Sequence, residues 1–111
     1  MKIPAEGKLL RIFIDETDTW NGKPLYEELI LLARKQGLAG ATAIKGFMGF
    51  GCQSRLHTTK LLELSEDLPV IIEIVDSEEK INEFIPSIDT MVAEGLITLE
   101  RINVIMYRAR K

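Results

Sequence analysis

Hydrophobic and polar positions alternate near the start of the chain with the period of a β-strand. Residues 8–15 read Lys-Leu-Leu-Arg-Ile-Phe-Ile-Asp, which places three aliphatic side chains on one face and Arg11 on the other. A polar stretch at 15–18 then interrupts the alternation. The pattern therefore predicts a first strand that ends near Asp15.

The next segment carries apolar residues at helical spacing. Leucine and alanine recur every three or four residues between Pro24 and Gly37, which forms a continuous apolar stripe. A proline suits the first turn of a helix, and a glycine suits the left-handed position after the last turn. We therefore predict a first helix between these two residues.

The middle of the chain contains two further predicted strands and a long connection between them. Residues 39–50 combine small and apolar side chains and become rich in glycine, and we interpret them as a second strand. Residues 69–76 are strongly β-branched and predict a third strand. Because no hydrophobic period is present between these strands, we interpret residues 51–67 as a long functional loop.

The last third of the chain predicts a second helix and a closing strand. Apolar residues recur at helical spacing over 81–92, where we expect Pro86 to kink or split the helix and Gly95 to end it. The apolar run at 102–108 predicts the closing strand, with a short extended piece before it at 97–99.

The resulting element order is strand, helix, strand, strand, helix, strand, which is the split βαβ or ferredoxin-like arrangement. We expect an α+β fold in which an antiparallel sheet carries both helices on one face. The other face is left uncovered, and strands that are apolar on both sides favour association with further copies. The length of 111 residues suits a single domain over 1–111, with the long loop at about 51–67.

Composition narrows the classes of function. The 14 basic and 17 acidic residues give a formal net charge of −3, which argues against a nucleic-acid-binding protein. Cys52 is the single cysteine, so an internal disulfide framework and a multi-cysteine zinc site are excluded. Neither a signal peptide nor an apolar run long enough to cross a bilayer is recognisable, and we expect a cytoplasmic protein without membrane insertion.

The most informative motif is the glycine-rich run at 44–53, Ile-Lys-Gly-Phe-Met-Gly-Phe-Gly-Cys-Gln. Glycines let a ligand approach the backbone, and successive bare amide groups can bind an anion such as phosphate. A bulge and turn demanded by the twist of the sheet would explain the same glycines without a ligand. The residues alone leave both interpretations open.

The segment Gly49-Phe50-Gly51-Cys52-Gln53 resembles the run that begins the long mobile loop of PII signalling proteins, which share this element order. The chain resembles an uncharacterised prokaryotic branch of the PII-like superfamily over nearly its full length. The resemblance implies a homotrimer that binds ADP, AMP or ATP in clefts between subunits, and a loop that contacts a partner protein. The nucleotide-binding residues implied are Gly46, Gly49, Gly51, Gln53, Arg101, Arg108 and Arg110.

The chain departs from the PII pattern at the loop and at the phosphate site. Residues 51–67 contain no tyrosine, which excludes uridylylation of a loop tyrosine, and Cys52 replaces a basic residue. The segment before the last strand contains Gly95 but lacks the glycine–lysine pair that contacts phosphates in PII proteins. A mono- or diphosphate is therefore at least as plausible a ligand as a triphosphate.

Two other classes of function stay open beside the nucleotide sensor. An interaction or structural module without a nucleotide site would have the same composition and element order. Cys52 and His57 suggest a cysteine–histidine nucleophile, or part of a metal site as in cation-tolerance proteins of related fold. No orienting carboxylate is identified and two ligands seldom complete a metal site, so we predict no enzymatic activity, no catalytic residue and no metal.

Overall fold

The computed structural model describes residues 5–51, 57–58 and 68–110. In chain order, the strands and helices of the described residues are β1 (Glu6–Asp15), β2 (Thr19–Trp20), β3 (Lys23–Pro24), α1 (Leu25–Lys35), β4 (Ala41–Lys45), β5 (Met48–Gly49), β6 (His57–Thr58), β7 (Pro69–Asp76), α2 (Glu78–Asp89) and β8 (Leu96–Asn103). Strands β2 and β3 pair with each other, as do β5 and β6. The remaining four strands form the main sheet.

The main sheet has the order β4-β7-β1-β8, and every neighbouring pair is antiparallel. In β1, Ile12 lies opposite Ile72 of β7 and Ile97 of β8. This topology confirms the predicted ferredoxin-like fold. The third predicted strand and the first predicted helix coincide with β7 and α1.

The hydrophobic core lies between the sheet and both helices. Alternate residues of β1 and β7 point toward the helices, because successive side chains of a strand face opposite sides of the sheet. Their partners come from the apolar stripes of α1 and α2, so both helices cover the same face, as predicted. The central core residues are Leu10, Ile12, Ile14, Val70, Ile72, Ile74, Leu25, Leu29, Ala33, Ile81, Phe84 and Ile88.

The opposite face of the sheet carries a charged triad surrounded by apolar side chains. Arg11 Nε lies 2.8 Å from Glu73 Oε2, and Arg11 Nη1 lies 2.5 Å from Glu100 Oε1. The hydrogen bond to Glu73, together with the charge of Glu100, raises the pKa of the Arg11 guanidinium. By strand alternation, the apolar residues on this face are Leu9, Phe13, Ile44, Ile71, Val75 and Leu96.

The closing strand differs from its prediction. It spans Leu96–Asn103 rather than 102–108, and the chain from 104 to 110 is not a strand. The reason is the length of the partner strand, because the pairing of β1 with β8 ends where Glu6 meets Asn103. The apolar character of residues 104–107 therefore does not reflect sheet pairing.

The second helix continues through Pro86 as one α-helix, so the predicted split does not occur. Proline removes one backbone hydrogen bond, which would join it to the carbonyl of Asn82. Both residues are on the exposed side of the helix, so water can satisfy that carbonyl. The helix begins at Ser77, whose Oγ accepts a hydrogen bond from Lys80 N, and it ends at Asp89, before Gly95.

Gly95 occupies a position that no larger residue fits. A Cβ atom at this position would lie 2.5 Å from the carbonyl oxygen of Phe13, and the backbone φ is +157°. We expect Gly95→Ala to lower the free energy of unfolding by about 2 kcal/mol or more, measured by urea denaturation.

The matched control for this substitution is Gly40→Ala. A Cβ atom at Gly40 meets no atom within 4 Å, and its φ lies outside the left-handed region. The free energy of unfolding of Gly40→Ala should stay within about 0.5 kcal/mol of that of the unmodified chain. Equal stability of both variants would contradict the close approach at Gly95.

Candidate functional site

The glycine-rich run begins where β4 leaves the main sheet. The second predicted strand, 39–50, is in fact two strands, because pairing with β7 stops after Lys45, and β5, which begins at Met48, pairs with β6 instead. The amide of Gly46 donates to the carbonyl oxygen of Pro69 at 2.7 Å. This amide therefore closes the end of the β4–β7 ladder.

Two glycines of the run are explained by contact with a proline ring. A Cβ atom on Gly46 would lie 2.8 Å from Pro69 Cγ, and one on Gly49 would lie 3.2 Å from the same atom. Neither glycine has a φ in the left-handed region. Packing against Pro69 thus accounts for glycine at these two positions without a ligand.

Gly51 is different, because a Cβ atom there would meet no atom of the described residues within 4 Å. It follows the ribbon in which Met48 pairs with Thr58 and Gly49 pairs with His57. Gln53 and Cys52, both singled out in the sequence, lie outside the described residues. Among the three predicted glycines, Gly51 is the one whose backbone is open to a bound molecule.

Two exposed aromatic side chains shortly precede the open glycine in the chain. Phe47 is 73% exposed and Phe50 is 70% exposed, and Met48 between them is also exposed. Large apolar side chains at such exposure are typical of surfaces that contact another molecule. The start of the long loop therefore presents an apolar surface beside a bare stretch of backbone.

A cavity of about 510 Å³ lies beside the run. Its charged lining residues are Glu16, Asp18 and Lys45, and Lys45 Nζ lies 2.7 Å from Glu16 Oε2. Two carboxylates against one ammonium leave the recess with a net negative charge. These residues alone would not attract a phosphate, and sequence reasoning gave none of them a role.

The three predicted arginines lie away from the glycine run. Arg101 is near the end of β8, opposite Lys8 of β1, and not at the beginning of the last strand as predicted. Arg108 and Arg110 are exposed and follow β8 in the non-strand segment. Strand pairing therefore does not hold either side chain in place.

The sheet register places the glycine run and the arginines of the C-terminal segment at opposite ends of the main sheet. We define the loop end as the end where Lys45 and Pro69 lie, and the tail end as the end where Asp76 and Asn103 lie. Strand β7 has 8 residues between these ends, which corresponds to about 23 Å. Gly51 follows the loop end and Arg108 follows the tail end, so one chain does not bring them together.

Two further searches of the described part of the chain gave negative results. No group of three or more histidine, cysteine, aspartate or glutamate side chains is arranged to hold a metal ion within residues 5–51 and 68–110. Within the same segments, neither helix is long and apolar enough to cross a membrane.

Sequence comparison places the chain beside conserved prokaryotic proteins. The family DUF190, described as uncharacterized ACR, matches residues 7–104. A UPF0166 protein of Aquifex aeolicus is 44% identical over 101 residues, which cover 91% of this chain and 95% of that protein. A UPF0166 protein of Methanocaldococcus jannaschii is 34% identical over 100 residues, covering 89% and 92%.

Structure comparison finds PII-like proteins. CPII from Thiomonas intermedia K12, bound to ADP and bicarbonate, superposes with a TM-score of 0.67 at 19% identity, covering 89% of this chain and 88% of CPII. CPII bound to ADP, AMP and bicarbonate gives a TM-score of 0.64 at 20% identity, covering 94% and 99%. The second of these structures is described as a nitrogen regulatory PII-like protein. The predicted PII-like fold is thereby confirmed.

Alanine substitutions at Gly46 and Gly51 test whether each glycine of the run is required by packing. Gly46→Ala places a methyl group 2.8 Å from the ring of Pro69, and we expect it to cost about 1 to 3 kcal/mol of unfolding free energy. Gly51→Ala should change stability by less than about 0.5 kcal/mol, because its Cβ enters open space. Thermal denaturation of both variants measures the difference. A larger loss at Gly51 would contradict the described geometry.

Proposed function

Because this chain belongs to the DUF190 family and has a PII-like fold, we propose that it is a regulatory protein that binds an adenine nucleotide between the subunits of a homotrimer. The observation that carries the proposal is the structural match to CPII, which was determined with ADP bound. The open backbone at Gly51 supports it, because this is the position from which the long loop begins.

The proposed site lies at a seam between two copies. Gly51 of one copy supplies free backbone near the loop end, and Arg108 and Arg110 of a neighbouring copy supply positive charge from the tail end. A guanidinium group binds phosphate oxygens with two parallel hydrogen bonds, which suits a terminal phosphate. We include four further predicted residues only as neighbours of the site: Gly46, Gly49, Gln53 and Arg101. The amide of Gly46 already donates its hydrogen bond to the carbonyl oxygen of Pro69.

Charge gives a second reason for a shared site. The recess beside the glycine run contains Glu16 and Asp18, and its one lysine is paired with Glu16. Lys45 is the one cation among the described residues that line this recess, so an anion bound there needs further positive charge. Exposed arginines of a neighbouring copy can provide this charge, and their long side chains reach across a subunit boundary.

The uncovered face of the sheet supports assembly. Its apolar residues lie around the triad of Arg11, Glu73 and Glu100, in which one cation contacts two carboxylates. Copies that pack on this face would bury apolar surface while the charged groups keep their partners, which avoids the cost of an unpaired buried charge. The number of copies, three, is taken from the resemblance to PII proteins.

The proposed protein would sense the nucleotide without transforming it. The long loop would change its order when a ligand binds and would then contact a partner protein. A nucleoside mono- or diphosphate fits better than a triphosphate, because the chain lacks the glycine–lysine pair of PII proteins. The main competing function is an interaction module of the same fold without a nucleotide site.

A thermal-shift panel of AMP, ADP, ATP and adenosine tests nucleotide binding. At a ligand concentration of about 100 times Kd, binding adds about 2.7 kcal/mol, which corresponds to a rise in Tm of roughly 10 to 20 °C. We expect at least one of the nucleotides to produce such a shift. No shift with any of them would favour the interaction module.

Substitution of one arginine tests the seam. We expect Arg108→Ala to weaken binding of the shifting nucleotide at least about tenfold, because a charge-assisted hydrogen bond is lost. Arg34→Ala removes the same charge from the exposed side of α1 and should leave affinity unchanged. Isothermal titration calorimetry measures both. Equal affinity in the Arg108 variant would remove this residue from the site.

Light scattering tests the assembly and the face that forms it. The chain has a mass of 12.5 kDa, so a trimer is expected at about 37 kDa. Ile44→Asp places a charge on the uncovered sheet face and should dissociate the assembly, because burying an unpaired charge is costly. Leu31→Asp is the control, since Leu31 is similarly exposed on α1. A trimer that survives Ile44→Asp, or a monomeric unmodified chain, would contradict the proposal.

A further inference from the structure

The segment after β8 is tied back to the body of the chain by a tyrosine. Main-chain contact with the sheet ends where the amide of Val104 donates to the carbonyl oxygen of Ala5. Three residues later, Tyr107 Oη donates a hydrogen bond of 2.7 Å to the carbonyl oxygen of Ala39. Ala39 belongs to the turn between α1 and β4, so this bond joins the C-terminal segment to the tail end of the sheet.

The acceptor of that bond is itself held in place by a buried carboxylate. The amide of Ala39 donates to Asp76 Oδ2 at 2.9 Å, and Asp76 Oδ1 accepts from Ser77 N at 2.6 Å. Asp76 is only 1% exposed. The carbonyl that receives the tyrosine hydroxyl is therefore fixed to the end of β7 and the beginning of α2.

A second set of contacts fixes the same turn from the side of the helices. Lys80 Nζ donates to the carbonyl oxygen of Gln36 at 3.1 Å, and Gln36 Nε2 donates to Ser87 Oγ at 2.8 Å. The C-terminal end of α1 is thus bonded to two turns of α2. The turn that contacts Tyr107 is a rigid support, because it is held at both of its ends.

We propose that Tyr107 is a positioning residue for the arginines that follow it. Its hydroxyl holds the C-terminal segment on the α1–β4 turn, which fixes the direction in which Arg108 and Arg110 extend from the tail end. This inference rests on the proposed function, because it assigns the arginines to a phosphate at the subunit seam. Without the bond, the segment would have to be ordered when the ligand binds, and that ordering weakens binding.

The test is Tyr107→Phe, which removes the hydroxyl and keeps the ring. We expect ADP to bind about fivefold more weakly, in line with the net value of one hydrogen bond. Adenosine affinity should stay unchanged, because the effect acts through the phosphate groups alone. Tyr26→Phe, on α1, is the control and should bind ADP like the unmodified chain.

A double-mutant cycle separates positioning from general weakening. In the Arg108→Ala/Arg110→Ala background, Tyr107→Phe should reduce ADP affinity by less than about twofold, since both arginines that it positions are gone. An undiminished fivefold loss in this background would overturn the positioning role. So would an unchanged ADP affinity of Tyr107→Phe in the otherwise unmodified chain.

Limited proteolysis tests the tether without a nucleotide. Trypsin should cleave the peptide bond after Arg108 several-fold faster in Tyr107→Phe than in the unmodified chain, because a released segment gives the protease access to that peptide bond. Mass spectrometry measures the rate of cleavage. Equal cleavage rates would refute the tether itself. Absence of binding of AMP, ADP and ATP alike by the unmodified chain would instead refute the proposed function, so the two failures are distinguishable.

Discussion

Antiparallel pairing of β1 on both of its sides is the constraint from which the other features of this structure follow. Residues 8–13 of β1 are paired with β7 and β8 at the same time. The first strand therefore fixes the register of both neighbours, and this register decides which turns meet at each end of the sheet. It also decides which side chains of three strands share a face, including the partners of Arg11.

The sequence predicted the elements whose signals are local. Helix α1 lies between Pro24 and Gly37, and β7 spans 69–76, because turn residues and a β-branched run mark their limits directly. The last strand differs from its predicted bounds because Asn103, its last residue, pairs with Glu6 at the beginning of β1, 97 residues earlier. The absence of a split at Pro86 has a similar cause, since tolerance of a helical proline depends on which side of the helix faces solvent.

In the candidate site, too, the features that the sequence predicted are local, and those that it did not predict depend on residues far apart in the chain. The sequence identified glycines that begin a loop and arginines near the C-terminus, but their placement at opposite ends of the sheet follows from the strand order. The contact of Gly46 and Gly49 with Pro69 was equally hidden, because these residues are about twenty positions apart in the chain. The bond from Tyr107 to Ala39 gives no signal in composition or period. The sequence therefore indicates candidate residues of the site, but it does not indicate which residues they contact.

The hydrogen bond between Gly46 and Pro69 has a consequence for how such chains can diverge. It closes the ladder at the point where the polypeptide departs from the sheet and at the point where it returns. Insertions or deletions in the intervening stretch that leave Leu68 and the β5–β6 pairing in place change the loop-closure entropy, and doubling the length of the loop costs about 0.6 kcal/mol. Evolution can therefore rewrite this stretch for a new recognition task while the scaffold beneath it keeps its architecture.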